Sequence, residues 1–179
     1  MQDALVNFVE EQSTKRKFIS YGFSRLDGRL YSDYGDFVVL AGRPSAGKTA
    51  MALQMAVHMG RHDKVGFYSL ETSPAKLTNR IIANRAIGDF GRINRREMTQ
   101  EEWERVVRLK GEIMESDVEL IPASGWSVQD ILSTALQRRH KIIFIDYLQQ
   151  LTGRGKDRFE QVTRISLDLH AMAQTHGIL

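Results

Sequence analysis

Residues 42–49, Gly42-Arg43-Pro44-Ser45-Ala46-Gly47-Lys48-Thr49, satisfy the spacing G-x-x-x-x-G-K-[ST] in full. Such a run suits the holding of a polyphosphate. Glycines let the backbone bend until successive N–H groups converge on one point, and a following helix turns the positive end of its dipole toward it. The loop Gly42, Arg43, Pro44, Ser45, Ala46 and Gly47, with Ala50 in the first helical turn, would cradle the phosphates. Lys48 would bridge the outer two, and the Thr49 hydroxyl would ligate a divalent cation. ATP and Mg²⁺ are the ligands this pattern predicts.

A phosphate loop of this kind needs a carboxylate on a second strand to support the metal. Asp146 closes the apolar run 142–145, and ligands of parallel sheets collect at the carboxyl ends of the strands. Taken alone, an Asp at a strand end more often serves a turn or a cap. Glu71 ends the run Ser69-Leu70-Glu71 at the same predicted edge, where it could orient and deprotonate an attacking water. Its plainer role is a favourable charge at the start of the next helix.

These groups require a sheet with helices on both faces, and the chain reads that way. Apolar runs at 37–41, 65–70, 118–121 and 142–145 are expected strands. Expected helices cover 48–60, 74 to about 87, 99 to about 115, 127 to about 139 and 157 to about 174. Ser73-Pro74 supplies an N-cap and an N1 proline, Thr99 with Glu102 forms a capping box, and Ser127 caps the next helix. Strands apolar on both sides and separated by helices indicate an α/β fold with a mostly parallel sheet. The end, Gly177-Ile178-Leu179, reads as the first step into a further strand. Residues 1–17 read as a short amphipathic helix (Leu5, Phe8 and Val9 at helical spacing) and a linker, and 18–179 as the core domain.

At 179 residues with 42% hydrophobic and 26% charged, the chain is sized and composed for one globular domain. It has no cysteine, which excludes disulfides and thiolate metal sites. No apolar run approaches the ~20 residues of a membrane helix, and the acidic start does not suit a secretory signal, so a cytoplasmic location is expected. The net charge of +3 permits a polyanionic partner without requiring one. Basic residues cluster at Lys15-Arg16-Lys17, 92–96, 138–141 and 154–158, each of which also suits a solvated turn or helix end.

The wording around these motifs resembles the C-terminal, RecA-like ATPase domain of DnaB-type replicative helicases. Gly22-Phe23 with Leu26-Asp27, the loop from Ala41 to Thr49, Ser69-Leu70-Glu71 followed by Leu77-Thr78-Asn79-Arg80, and Ile145-Asp146-Tyr147-Leu148-Gln149 follow that family's order. The resemblance implies that Lys48 and Thr49 bind nucleotide and metal, Glu71 activates water, Asp146 supports Mg²⁺ and Arg80 contacts the nucleotide. It implies a homohexameric ring on single-stranded DNA, with residues 4–11 docking on the adjacent subunit and primase and a helicase loader as candidate partners of the complete protein. Ala46 departs from the family's usual methionine, and Tyr21 from its frequent threonine. The family's N-terminal domain and the parts after the last helix, with its arginine finger and main DNA loop, have no counterpart here, so this chain is expected to be C-terminally truncated, with feeble hydrolysis and no unwinding.

Arg154, Lys156 and Arg158 follow the Asp146 strand and could contact DNA phosphates without sequence preference, or form a solvated loop. Three rival functions share the phosphate loop. A RecA-like recombinase or regulatory ATPase would keep Glu71 and Asp146, a small-molecule kinase would need an acceptor pocket and a lid such as 92–96, and a noncatalytic assembly module would bind ATP without turnover.

Overall fold

The computed structural model describes residues 18–87 and 89–179, so the expected helix at 4–11 and the basic run at 15–17 lie outside the described residues. Three parallel strands form the centre: β1 (Val65–Ser69), β2 (Val118–Pro122) and β3 (Ile142–Asp146), in the order β2-β1-β3. The registers pair Ser69 with Pro122 on one side and with Asp146 on the other, so the three strands end together. Seven α-helices accompany them among the described residues: α1 (Ser24–Asp27), α2 (Lys48–Met59), α3 (Pro74–Ile82), α4 (Phe90–Arg95), α5 (Gln100–Met114), α6 (Val128–Arg138) and α7 (Arg158–His176).

The period-two alternation of a strand explains the layers. Val65, Phe67 and Ile142 face Leu53 and Val57 of α2 and Leu77 and Ile81 of α3. Tyr68 and Ile121 face Ile131 and Ala135 of α6 and Ile165, Leu169 and Met172 of α7. Every residue of β1 is buried, as a central strand covered on both faces should be. Full burial of a side chain such as Phe67 or Leu77 contributes about 1.5–3 kcal/mol, so these two layers hold the strand ends in place.

The helix boundaries follow their caps. Thr99 Oγ1 accepts from the Glu102 N–H at 3.3 Å while Glu102 Oε2 accepts from the Thr99 N–H at 2.7 Å, a complete capping box. Ser127 and Asp130 repeat the reciprocal arrangement at α6. Asp157 caps α7 through the Glu160 N–H at 2.8 Å, and Pro74 opens α3 at N1. The helix expected to run unbroken to residue 87 is α-helical only to Ile82 and continues as a π-helical turn, Ala83–Ile87. The basic stretch 92–96 forms most of α4, where Asp89 caps the first turn and Arg92 reaches the buried Glu102 at 2.9 Å.

One expected strand does not form among the described residues. Residues 37–41 make no ladder with any of them, and Val38, Val39 and Leu40 are 47%, 65% and 41% exposed. The outer edge of β3 is met instead by the last residue, because the Ile143 N–H donates to the Leu179 carbonyl at 2.7 Å and the Leu179 N–H to the Lys141 carbonyl at 3.1 Å. An apolar run becomes a strand only beside a neighbour, and none of the described residues supplies one to 37–41.

Candidate phosphate-binding site

The loop 42–47 is exposed and leads directly into α2. Its curvature comes from two left-handed residues, Ser45 at φ 61° and Gly47 at φ 88°. Gly47 occupies the N-cap of α2 and has open space where a Cβ would stand, so its absent side chain serves the backbone angle rather than a packing need. No side chain caps α2, and its first N–H groups therefore remain open as donors to an anion. A turn bond, Ala46 N–H to the Arg43 carbonyl at 3.2 Å, closes the loop.

Lys48 folds its ammonium back over this loop, donating to the carbonyls of Gly42 at 2.9 Å and Arg43 at 3.0 Å. Thr49 lies one residue further into α2. Its Oγ1 donates to Asp146 Oδ2 at 2.8 Å, joining groups 97 residues apart in sequence. Asp146 ends β3, and the Asp146–Tyr147 peptide is cis. The two oxygen donors meet at the C-terminal edge of the sheet, beside the open N–H groups of α2. This is the donor set a hard divalent cation prefers, and the uncapped helix start suits the polyphosphate that would accompany it.

Glu71 emerges from the same edge. It follows β1 by two residues, next to Leu70, whose N–H donates to the Asp146 carbonyl at 2.9 Å. Its carboxylate is exposed and makes no hydrogen bond or ion pair with any described residue. Arg80, in the last turn of α3, sits over the Phe90 ring at 5.9 Å and lines a small cavity of about 10 Å³ together with Ala50, Gln54 and Asn84. Ala50 is the first α2 residue after Thr49, so the cavity places Arg80 beside the turn that follows the loop. Gln54 and Asn84 went unremarked in the sequence, although Asn84 stands four residues after Arg80 on the same helical face.

The basic segment after β3 is divided. Arg158 is engaged at the start of α7, donating to the Gln149 carbonyl and, at 3.3 Å, to Gln161 Oε1. The Lys156 N–H donates to Glu160 Oε2 at 2.8 Å, while its exposed ammonium has no partner among the described residues. Arg154 lines an open groove of about 620 Å³ between α6 and α7, with Arg164 and Asp168 on the α7 side. Two loops away, Ser20 Oγ, Asp27 and His58 link the chain before the phosphate loop to the far end of α2: Ser20 donates to Asp27 Oδ2 at 2.8 Å and lies 2.9 Å from His58 Nε2. Burial pushes the His58 pKa down, with Asp27 opposing.

Residues 19–178 match the family model of the DnaB-like helicase C-terminal domain. The chain is 31% identical over 179 residues to a probable plasmid replicative DNA helicase of Chlamydia trachomatis, covering 96% of this chain and 40% of that protein. It is 30% identical over 179 residues to the replicative DNA helicase DnaB of Rickettsia typhi, covering 89% of this chain and 36% of that one. Among solved structures, a DnaB-like replicative helicase described with its interactions with primase superposes with a TM-score of 0.90 at 32% identity, over 100% of this chain and 47% of that chain. A second solved structure, of an isolated ATPase domain, gives 0.86 at 33% identity, over 99% of this chain and 68% of that one. The chain thus spans 36% to 40% of the length of those two curated relatives.

Proposed function

Because this chain belongs to the DnaB-like helicase C-terminal domain family, we propose that it is the motor domain of a replicative DNA helicase, coupling Mg-ATP hydrolysis to movement along single-stranded DNA and to duplex unwinding. The observation that supports this best is the 2.8 Å bond from Thr49 to Asp146, which joins the phosphate loop to the end of the β3 strand at the sheet edge where Glu71 also emerges.

In this reading the loop from Gly42 to Gly47 holds the phosphates with its backbone N–H groups, and the open first turn of α2 adds to their field. Lys48 exchanges the Gly42 and Arg43 carbonyls for phosphate oxygens, a swing its half-exposed position beside the open loop allows. Thr49 and Asp146 turn their oxygens to the cation. When bound, Mg²⁺ neutralises charge building on the phosphate oxygens. Glu71, without another partner among the described residues, orients a water and accepts its proton. Arg80 leaves the Phe90 face to reach the nucleotide.

The complete protein would work as a homohexameric ring, with primase and a loader as candidate partners, and Arg154, Lys156 and Arg158 would touch DNA phosphates in a salt-sensitive manner. The test is Mg-dependent ATP hydrolysis with and without single-stranded DNA, against Lys48→Ala as background. Stimulation by DNA that disappears in the variant supports a polynucleotide motor. Hydrolysis indifferent to DNA favours a binding-competent core that lacks its main DNA loop, and phosphate passed to a small acceptor counts against the motor.

A further inference from the structure

The approach to α7 carries three cations and two glycines in seven residues, Thr152-Gly153-Arg154-Gly155-Lys156-Asp157-Arg158. All seven are exposed, yet the segment is fastened at both ends and in the middle. At its start the Thr152 N–H donates to the Trp126 carbonyl at 2.9 Å, just after the buried Leu151. In the middle Gln161 Nε2 donates to the Gly153 carbonyl at 3.3 Å, and the Lys156 N–H donates to Glu160 Oε2 at 2.8 Å. At its end the Arg158 guanidinium donates to the Gln149 carbonyl and so closes the loop across its base.

The two glycines set how closely this loop lies on α7. A Cβ on Gly153 would stand 2.9 Å from Cγ1 and 3.0 Å from Cδ1 of the buried Ile165. A Cβ on Gly155 would stand 2.5 Å from the Gln161 nitrogen and 2.8 Å from its Cα. Neither neighbour can give way, since one is packed in the core and the other is helix backbone, its N–H bonded to the Asp157 carbonyl at 3.0 Å. Glycine alone permits the approach at both places. Gly153 and Gly155 face the helix, and the side chains of Arg154 and Lys156 stand exposed without a partner among the described residues. The acids nearby are already engaged. Asp157 Oδ1 accepts from the Glu160 N–H at 2.8 Å, and Glu160 divides its oxygens between the Lys156 N–H and Arg164 at 2.7 Å. Asp168, on the same groove as Arg154, makes no ion pair with it.

We propose that Gly153, Gly155 and Gln161 are positioning residues for single-stranded DNA: they lock the loop onto α7 so that Arg154 and Lys156 stand as two fixed phosphate contacts. A loop already held in place loses little conformational freedom when a strand binds, so the charges act as placed contacts and not as a diffuse field. The contacts are sequence-independent, because phosphates carry no base information. This rests on the motor reading, which charge alone on a free loop would also satisfy, and adds to it the device that aims the charge.

The experiment measures the affinity of the protein for a fluorescein-labelled oligothymidylate over a range of salt concentrations. Each phosphate contact on a single strand adds about 0.7 to the steepness of log K against log salt. Removing both charges, Arg154→Ala with Lys156→Ala, should lower the steepness by about 1.4. Gly155→Ala removes no charge and should still lower it by at least about 0.7, with Gln161→Ala moving it in the same direction. Hydrolysis without DNA and the circular dichroism spectrum should stay at the parent's values in both. An unchanged steepness in folded Gly155→Ala overturns the positioning role, since a merely structural glycine would not move it. If Gly155→Ala does not fold, Gln161→Ala carries the test by the same criterion. An unchanged steepness in the double charge variant is a separate failure: it overturns the DNA reading of this loop, and the positioning role falls with it.

Discussion

The two ends of the central sheet are built on opposite terms. At the C-terminal end, the loop 42–47 and Glu71 are exposed, Lys48 rests on two carbonyls, and one side-chain bond joins Thr49 to Asp146. At the N-terminal end the polar groups are knotted together. Tyr68 leans back over Gly66 to place its hydroxyl 2.9 Å from Nδ1 of His140, and Glu119 collects Lys64 at 3.0 Å, Arg138 at 2.5 Å and His140 Nε2 at 3.5 Å. His140 and Tyr68 are fully buried there. Charge is held by the fold at one end and left available to a ligand at the other. Substitutions at the two ends should therefore separate activity from stability.

Lys48→Ala makes the largest separation. It removes the ammonium that lies over the loop and touches no core residue, so ATP hydrolysis should fall roughly 100- to 1,000-fold while the melting temperature stays put. A variant that also melts early would mean the lysine holds the loop together through Gly42 and Arg43, and the comparison would break. Thr49→Val is the next step down. It leaves Asp146 without its hydrogen bond and should raise the Mg²⁺ concentration needed for half-maximal hydrolysis by at least about tenfold, which a magnesium titration of the steady-state rate measures.

Much of the open end could be read in the residues, and little of the knotted one. Gly47, Lys48 and Thr49 declare their chemistry through spacing, because a backbone cradle needs glycine at fixed positions, and the capping residues Thr99 and Ser127 act over three residues. Lys64, Glu119 and the Arg138–His140 pair come from three distant stretches of the chain and look like ordinary surface charges until the sheet aligns them. The run 37–41 shows the converse limit of local reading. It matches β1 in apolar character, yet β1 has a neighbour on each side and 37–41 has none among the described residues, since pairing belongs to the partner as much as to the segment. The π turn at Ala83–Ile87 carries no sequence signal that a run of helix formers would not also carry.

At the knotted end, Gly66→Ala and Glu119→Gln should cost stability and spare the chemistry. A Cβ on Gly66 would come within 2.5 Å of His140 Nδ1 and 2.7 Å of Tyr68 Cε2, both held by the core, so about 1–3 kcal/mol is expected from overpacking. Glu119→Gln strips the charge that answers Lys64 and Arg138 and should cost a comparable or smaller amount, about 1–2 kcal/mol for a partly exposed cluster. Urea denaturation gives both values, and per-molecule ATP hydrolysis below the transition should match the parent. A loss of turnover in folded protein would show that the sheet transmits strain from one end to the other.

The smallest effect is the dependence of this end on acidity. Burial lowers the His140 pKa from its ordinary 6.5, with Glu119 opposing, so the unfolded chain takes up the proton first and the stability His140 supplies is present above pH 6.5 and lost as the pH falls through its folded value. The Arg138 hydrogen bond, opposed by burial and assisted by Lys64, holds the Glu119 carboxyl down at about 2 against an ordinary 4.5. Its contribution is whole above pH 4.5 and disappears toward pH 2, the same sign in a lower window. The melting temperature should thus decline in two stages on acidification. Glu119→Gln should shrink the lower stage, to which the lowered carboxyls of Glu102, Asp130 and Glu160 also contribute, and deepen the upper one, because the carboxylate that kept the His140 pKa from falling further is gone. A melting temperature flat between pH 7 and pH 5 in both proteins would show that His140 is not buried neutral, and the contrast between the two ends would then rest on Glu119 alone.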